Sequence, residues 1–96
     1  MATVADQPNL LFFYSSRSGH SRRVESYLAQ VLQRRSNHNT FQIRRIGTEA
    51  HPDLVDRFRI EIAPTLLVVE NRKVQARLAP IKSAYQIKEF LGPWLR

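Results

Sequence analysis

Two serines and a histidine, Ser18, His20 and Ser21, crowd into the stretch Ser16-Arg17-Ser18-Gly19-His20-Ser21-Arg22-Arg23, directly after the apolar run NLLFFYS. A hydroxyl nucleophile beside an imidazole base is the equipment of acyl transfer. Adjacent residues at a helix start point in different directions, however, and no nearby acidic residue stands to orient His20. Hydrolysis is disfavoured. Anion binding is a second chemistry. If a helix begins here, the free amides of residues 18–21 and the positive helix end suit a phosphate or carboxylate. Ser18, Ser21, Arg22 and Arg23 are then the candidate contacts, arginine adding bidentate geometry. The stretch lacks the lysine and the regular glycine spacing of a phosphate loop. The plainest role for Ser18 is a helix N-cap accepting from the amide of His20 or Ser21, worth about 1 kcal/mol. Gly19 allows tight backbone passage at the first turn.

Composition narrows the chemistry further. The 96 residues contain no cysteine, which removes disulfides, thiolate metal sites and thiol nucleophiles together. His20, His38 and His51 lack ligand-like spacing, so neither a metal nor a cofactor is expected. The formal charge is +7, and arginine outnumbers lysine by 12 to 3. Such a charge favours acidic partners, nucleic acid or anions. Arg34, Arg44, Arg57, Arg72 and Arg77 are scattered without aromatic interleaving, the pattern of solvated faces, so nucleic acid is not favoured. No apolar run approaches the roughly 20 residues of a membrane span. The opening MATVADQPN lacks the basic and apolar regions of a signal peptide, and a cytoplasmic protein is expected. Residues 1–8 are expected to be a disordered lead-in to one domain over 9–96.

The elements that must carry the turn follow from periodicity. Residues 9–15 read as a strand buried on both faces. Val24, Tyr27, Leu28, Val31 and Leu32 form one helical stripe, ended by SNHN at 36–39. TFQIRRI reads as a second strand, parallel to the first through a strand–helix–strand crossover. Pro52 opens a short helix with Leu54, Val55 and Phe58 inward. Thr65 to Val69, the turn ENRK, and the alternating Val74, Ala76 and Leu78 predict an antiparallel hairpin. Ile87, Phe90, Leu91, Trp94 and Leu95 share a last helical face, which Gly92-Pro93 ends or kinks. The fold class is α/β, in the order β-α-β-α-β-β-α: a mixed four-stranded sheet with helices on both faces.

Two stretches are more specific, LLFFYSSRSGHSRR and RFRIEIAPTLLVVENRKV, the latter followed by IKEFLGPWL. Over residues 9 to 95 the chain resembles the thioredoxin family. In that family an apolar strand and an aromatic residue precede Cys-Gly-X-Cys at a helix start, and a downstream Pro-Thr loop is followed by a hairpin and a final helix. Ser18-Gly19-His20-Ser21 occupies the motif's place, Tyr14 that of the aromatic, and Ala63-Pro64-Thr65-Leu66 that of the proline loop. The resemblance implies a thioredoxin-like fold, a cis bond before Pro64, and a groove between turn and loop formed by Tyr14, Arg17, His20, Ala63, Pro64 and Thr65. A trans proline opening an edge strand is the alternative for Pro64. Phe12 stands where thioredoxins bury an aspartate.

Serine neither ionises usefully near neutrality nor forms a disulfide, so the degenerate motif Ser18, Gly19, His20 and Ser21 has no catalytic role in thiol exchange. Three functions remain in view. The first is a redox-inactive thioredoxin-like protein binding a protein or extended peptide, favourably an acidic one, through the groove. The second is a thiol oxidoreductase or redox sensor whose cysteines have been replaced by serine, with Ser83 as a further such position. The third is a basic anion- or nucleic-acid-binding module, which predicts steep salt dependence.

Overall fold

The computed structural model of the chain describes residues 7–33 and 40–95. Its elements run β1 Asn9–Tyr14, α1 Gly19–Leu32, β2 Gln42–Gly47, α2 Pro52–Arg57, β3 Thr65–Glu70, β4 Lys73–Leu78 and α3 Ala84–Leu91. The sheet order is β2-β1-β3-β4, with β1 parallel to β2, and β3 antiparallel to both β1 and β4. This is the α/β, mixed four-stranded arrangement expected from the sequence. The SNHN segment expected to end α1 lies outside the described residues, as do residues 1–6 of the expected lead-in. Pro8 is tied to the sheet, its carbonyl accepting from the Gln42 amide at 3.0 Å.

The apolar run of β1 is continuous because both of its faces are covered. Leu10 and Phe12 pack with Val24 and Leu28 of α1 and with Ile87 and Leu91 of α3. Leu11 and Phe13 face the other way, with Ile46, Leu67 and the half-buried Leu54, Val55 and Phe58 around α2. Adjacent strand residues point to opposite faces, so one strand serves two cores. Phe12 is fully buried, and it meets Tyr14 at 5.8 Å between ring centroids.

The hairpin departs from simple alternation. Asn71 and Arg72 form its two-residue turn, both at positive φ (52° and 66°), as a type I′ turn requires. A register shift follows: Val68 pairs with Ala76, but Val69 pairs with Val74, leaving Gln75 as the extra residue. Ala76 and Leu78 therefore pack on the α1–α3 side, while Val74 is opposite Val69 of the other core and stays 43% exposed. Alternation alone put all three on one face.

Strand directions bring four connections to one end of the sheet. β1 and β2 finish there at Tyr14 and Gly47, β3 starts there at Thr65, and β4 finishes there at Leu78. The turn 15–18, the loop 48–51, the segment 62–64 and the segment 79–82 therefore gather around the start of α1.

Candidate functional site

The start of α1 is fixed by its serines. Ser18 takes an extended conformation (φ −108°, ψ 116°), and its hydroxyl accepts from the Ser21 amide at 3.2 Å, an N-cap bond. The Ser21 amide also reaches the Ser18 carbonyl at 3.2 Å, so it is spent on the helix itself. Ser21 is 3% exposed, and its hydroxyl accepts from the Ser15 amide at 3.1 Å. Side chain to backbone, the two motif serines thus stitch the end of β1 to the first turn of α1. Of the four candidate anion contacts, these two are occupied structurally, while Arg22 and Arg23 are exposed on the helix surface.

The turn itself holds a carboxylate. Ser15 Oγ donates to Glu49 Oε2 at 2.5 Å, and the Ser16 amide donates to Glu49 Oε1 at 3.3 Å. Ser15 Oγ also accepts from the Arg17 amide at 3.2 Å. The Ser15 hydroxyl holds the Glu49 carboxyl below the usual carboxylate range, helped by the Glu49 and Ser16 amides and by the charge of Arg17. The result is a compact hydroxyl, amide and guanidinium environment around an anion that is itself at the surface.

His20 faces a different partner. Its Nε2 donates to the Ile81 carbonyl at 2.6 Å, which assigns the tautomer with Nε2 protonated and ties α1 to the segment after β4. The Ala63–Pro64 and Ala79–Pro80 peptide bonds are both cis. Extending the β3–β4 register beyond Leu66 and Leu78 sets these prolines opposite one another. Pro64 and Thr65 are buried, and Thr65 Oγ1 donates to the Ile62 carbonyl at 2.7 Å. Ala63 is half-buried, and neither its amide nor its carbonyl has a partner among the described residues.

Tyr14 lies on the other side of the turn. Its phenol packs over Gly47, where a Cβ would come within 3.2 Å of Oη, so a larger residue there would have to push the ring aside by a few tenths of an ångström. Tyr14 lines a cavity of about 200 Å³ with Ser15, Ser16, Ser21, Arg22 and Glu25. The sheet end thus gathers Arg17, His20, Ala63, Pro64 and Thr65 on neighbouring connections, whereas Tyr14 points toward β2. Glu49 and Ile81 were not singled out from sequence. Their partners lie 34 and 61 positions away, and no local pattern announces such pairs. Among the described residues no group of three or more His, Cys, Asp or Glu is placed to hold a metal ion. No helix there is long and apolar enough to cross a membrane.

The family model described as Thioredoxin matches residues 1–92. The chain belongs to the thioredoxin family. Among solved structures, this thioredoxin-family chain is similar to Trxlp from Edwardsiella tarda EIB202, at 17% identity and a TM-score of 0.79, covering 94% of this chain and 84% of that one. Thioredoxin-2, described as a component of malaria parasite protein secretion machinery, gives 11% identity and a TM-score of 0.81, covering 97% and 88%. Thioredoxin 1 from Thermosipho africanus TCF52B gives 10% identity and 0.73, covering 90% and 92%. At these identities the structural likeness is one of fold. No curated protein matches the chain. No cysteine occurs anywhere in the sequence, so this member of the family supplies no thiol for disulfide exchange.

Proposed function

We propose that this thioredoxin-family chain is a redox-inactive binding protein that takes an extended peptide or protein segment along the backbone at Ala63. The observation that carries the reading is the open amide and carbonyl of Ala63, half-buried beside the turn 15–18. An extended segment pairs with such groups through its own main chain, gaining affinity without any thiol. The exposed Arg17 and the half-buried His20 supply a rim of differing polarity for side-chain selection. Serine caps keep the helix start rigid where a redox pair would otherwise stand, which suits binding rather than turnover.

The test is titration of the ¹⁵N-labelled protein with a blocked hexapeptide alternating valine and threonine. Amide shifts are expected at Ser16, Arg17, His20, Ala63 and Thr65. Ala63→Pro removes the donor, and the loss of one backbone hydrogen bond, about 1 kcal/mol, weakens binding about fivefold. Shifts clustered on another face, or none at all at millimolar peptide, reject the reading.

A further inference from the structure

We propose, resting on the peptide-binding reading above, that the segment received at Ala63 is acidic, and that the Ser15–Arg17 turn is the seat for one of its carboxylates. In the free protein that seat is filled by Glu49, whose two oxygens take the Ser15 hydroxyl at 2.5 Å and the Ser16 amide at 3.3 Å. The chain's own side chain thus shows which chemistry the turn accepts: a planar anion met by one hydroxyl, one amide and a neighbouring guanidinium. Glu49 is exposed, so nothing but these bonds keeps its side chain there, and it can leave for solvent when another carboxylate arrives.

Geometry connects the seat to the open backbone. Phe13 pairs with Thr65, so the turn after β1 and the segment before β3 issue from adjacent strand ends, about 4.8 Å apart in a sheet. An extended segment rises about 3.3 Å per residue. A side chain one or two positions from the residue paired with Ala63 therefore comes to the turn.

Charge complementarity points the same way. Arg17, Arg22, Arg23 and Lys82 are exposed around this end. None of the four forms an ion pair among the described residues, where the one salt bridge is Arg45–Glu25 at 2.7 Å. The first turn of α1 carries no acidic residue at all. Glu61 is the acidic residue on the Ala63 side, exposed two positions before it. A segment bearing aspartate or glutamate meets excess positive charge; a basic segment meets repulsion.

The experiment compares two blocked hexapeptides, one alternating valine with glutamate and the other alternating valine with glutamine, on the full chain, its Arg17→Ala variant and its Glu49→Gln variant. An exposed charge pair is worth up to about fivefold in affinity. The glutamate peptide is expected to bind the parent about fivefold more tightly than the glutamine peptide, with the gap closing at high salt. Arg17→Ala should weaken the glutamate peptide alone, and Glu49→Gln should strengthen it alone by a similar factor. Equal binding of the two peptides overturns the acidic preference and leaves the peptide reading standing. Indifference of the glutamate peptide to Glu49→Gln overturns the seat, reducing Glu49 to a loop tether. Failure of both peptides to bind overturns the peptide reading itself, and this inference with it.

Discussion

The Ser21 hydroxyl accepts the Ser15 amide at 3.1 Å, so a side chain only 3% exposed joins the first turn of α1 to the residue that follows β1. The resemblance sets Ser21 at the second motif position, and there the side chain makes a structural hydrogen bond. Ser18 caps the same helix.

These two serines are expected to differ in cost when truncated. Ser21→Ala leaves the Ser15 amide without its partner in a half-buried position, a loss of about 1–3 kcal/mol. Ser18→Ala removes an N-cap bond, about 1 kcal/mol. Urea denaturation of both variants checks the order. A neutral Ser21→Ala would show that water replaces the bond freely and that the turn is looser than described.

The same arrangement bears on thiol chemistry. Ser18 Oγ stands 3.2 Å from the Ser21 amide, so the side chains at 18 and 21 belong to one helical turn. The double substitution Ser18→Cys with Ser21→Cys is expected to close to a disulfide under mild oxidant, which takes up the two electrons, read by thiol titration and a mass loss of two hydrogen atoms. Two persistently free thiols would mean that the serine-bonded turn has drifted from disulfide geometry.

Local patterns made much of this legible in the sequence. The β1 run, the α1 stripe through Val24 and Leu28, and the cap at Ser18 all depend on residues within a few positions of one another. What stayed hidden depends on long-range register. Ser15 meets Glu49, His20 meets Ile81, and Arg77 on β4 donates to the Phe58 and Arg59 carbonyls at 2.6 and 3.3 Å, closing the end of α2. Arg77 had read as one of several solvated charges. Val74 left the predicted face because the extra residue at Gln75 shifts the pairing, and nothing in KVQARL marks where that shift falls. Ser83, read as one more position for a replaced cysteine, caps α3 by accepting from the Gln86 amide at 3.1 Å.

Acid should loosen the carboxylate seat. The Glu49 carboxyl lies below its ordinary range, chiefly because Ser15 donates to it, so folding favours its ionised form. A group with a depressed folded pKa contributes stability that is complete above its unfolded pKa and lost as pH falls through the folded one. The contribution therefore fades as pH falls from the ordinary carboxylate range through the lowered folded value, and Glu49→Gln should lose it at neutral pH while flattening the acid limb, so that the two curves converge in acid. Parallel acid limbs for the two proteins would show that the Ser15 and Ser16 bonds do not persist in solution.

The hairpin turn offers a gain rather than a loss. Arg72 holds φ at 66°, a conformation that costs a residue with a Cβ about 1–2 kcal/mol. Its neighbour Asn71, at 52°, already suits the first central position of a type I′ turn, and Asn-Gly is the favoured pair. Arg72→Gly relieves the left-handed cost but makes the unfolded chain more flexible, which returns about 0.4–1 kcal/mol. The balance is a stabilisation of about 0.5 kcal/mol, or about 2–4 °C in Tm for a domain of this size. Arg72 makes no ion pair among the described residues, so little is forfeited with its side chain. The turn also lies at the opposite end of the β3–β4 ladder from Ala63, so peptide affinity should be untouched. A lowered Tm would show that the Arg72 side chain contributes more than its backbone costs.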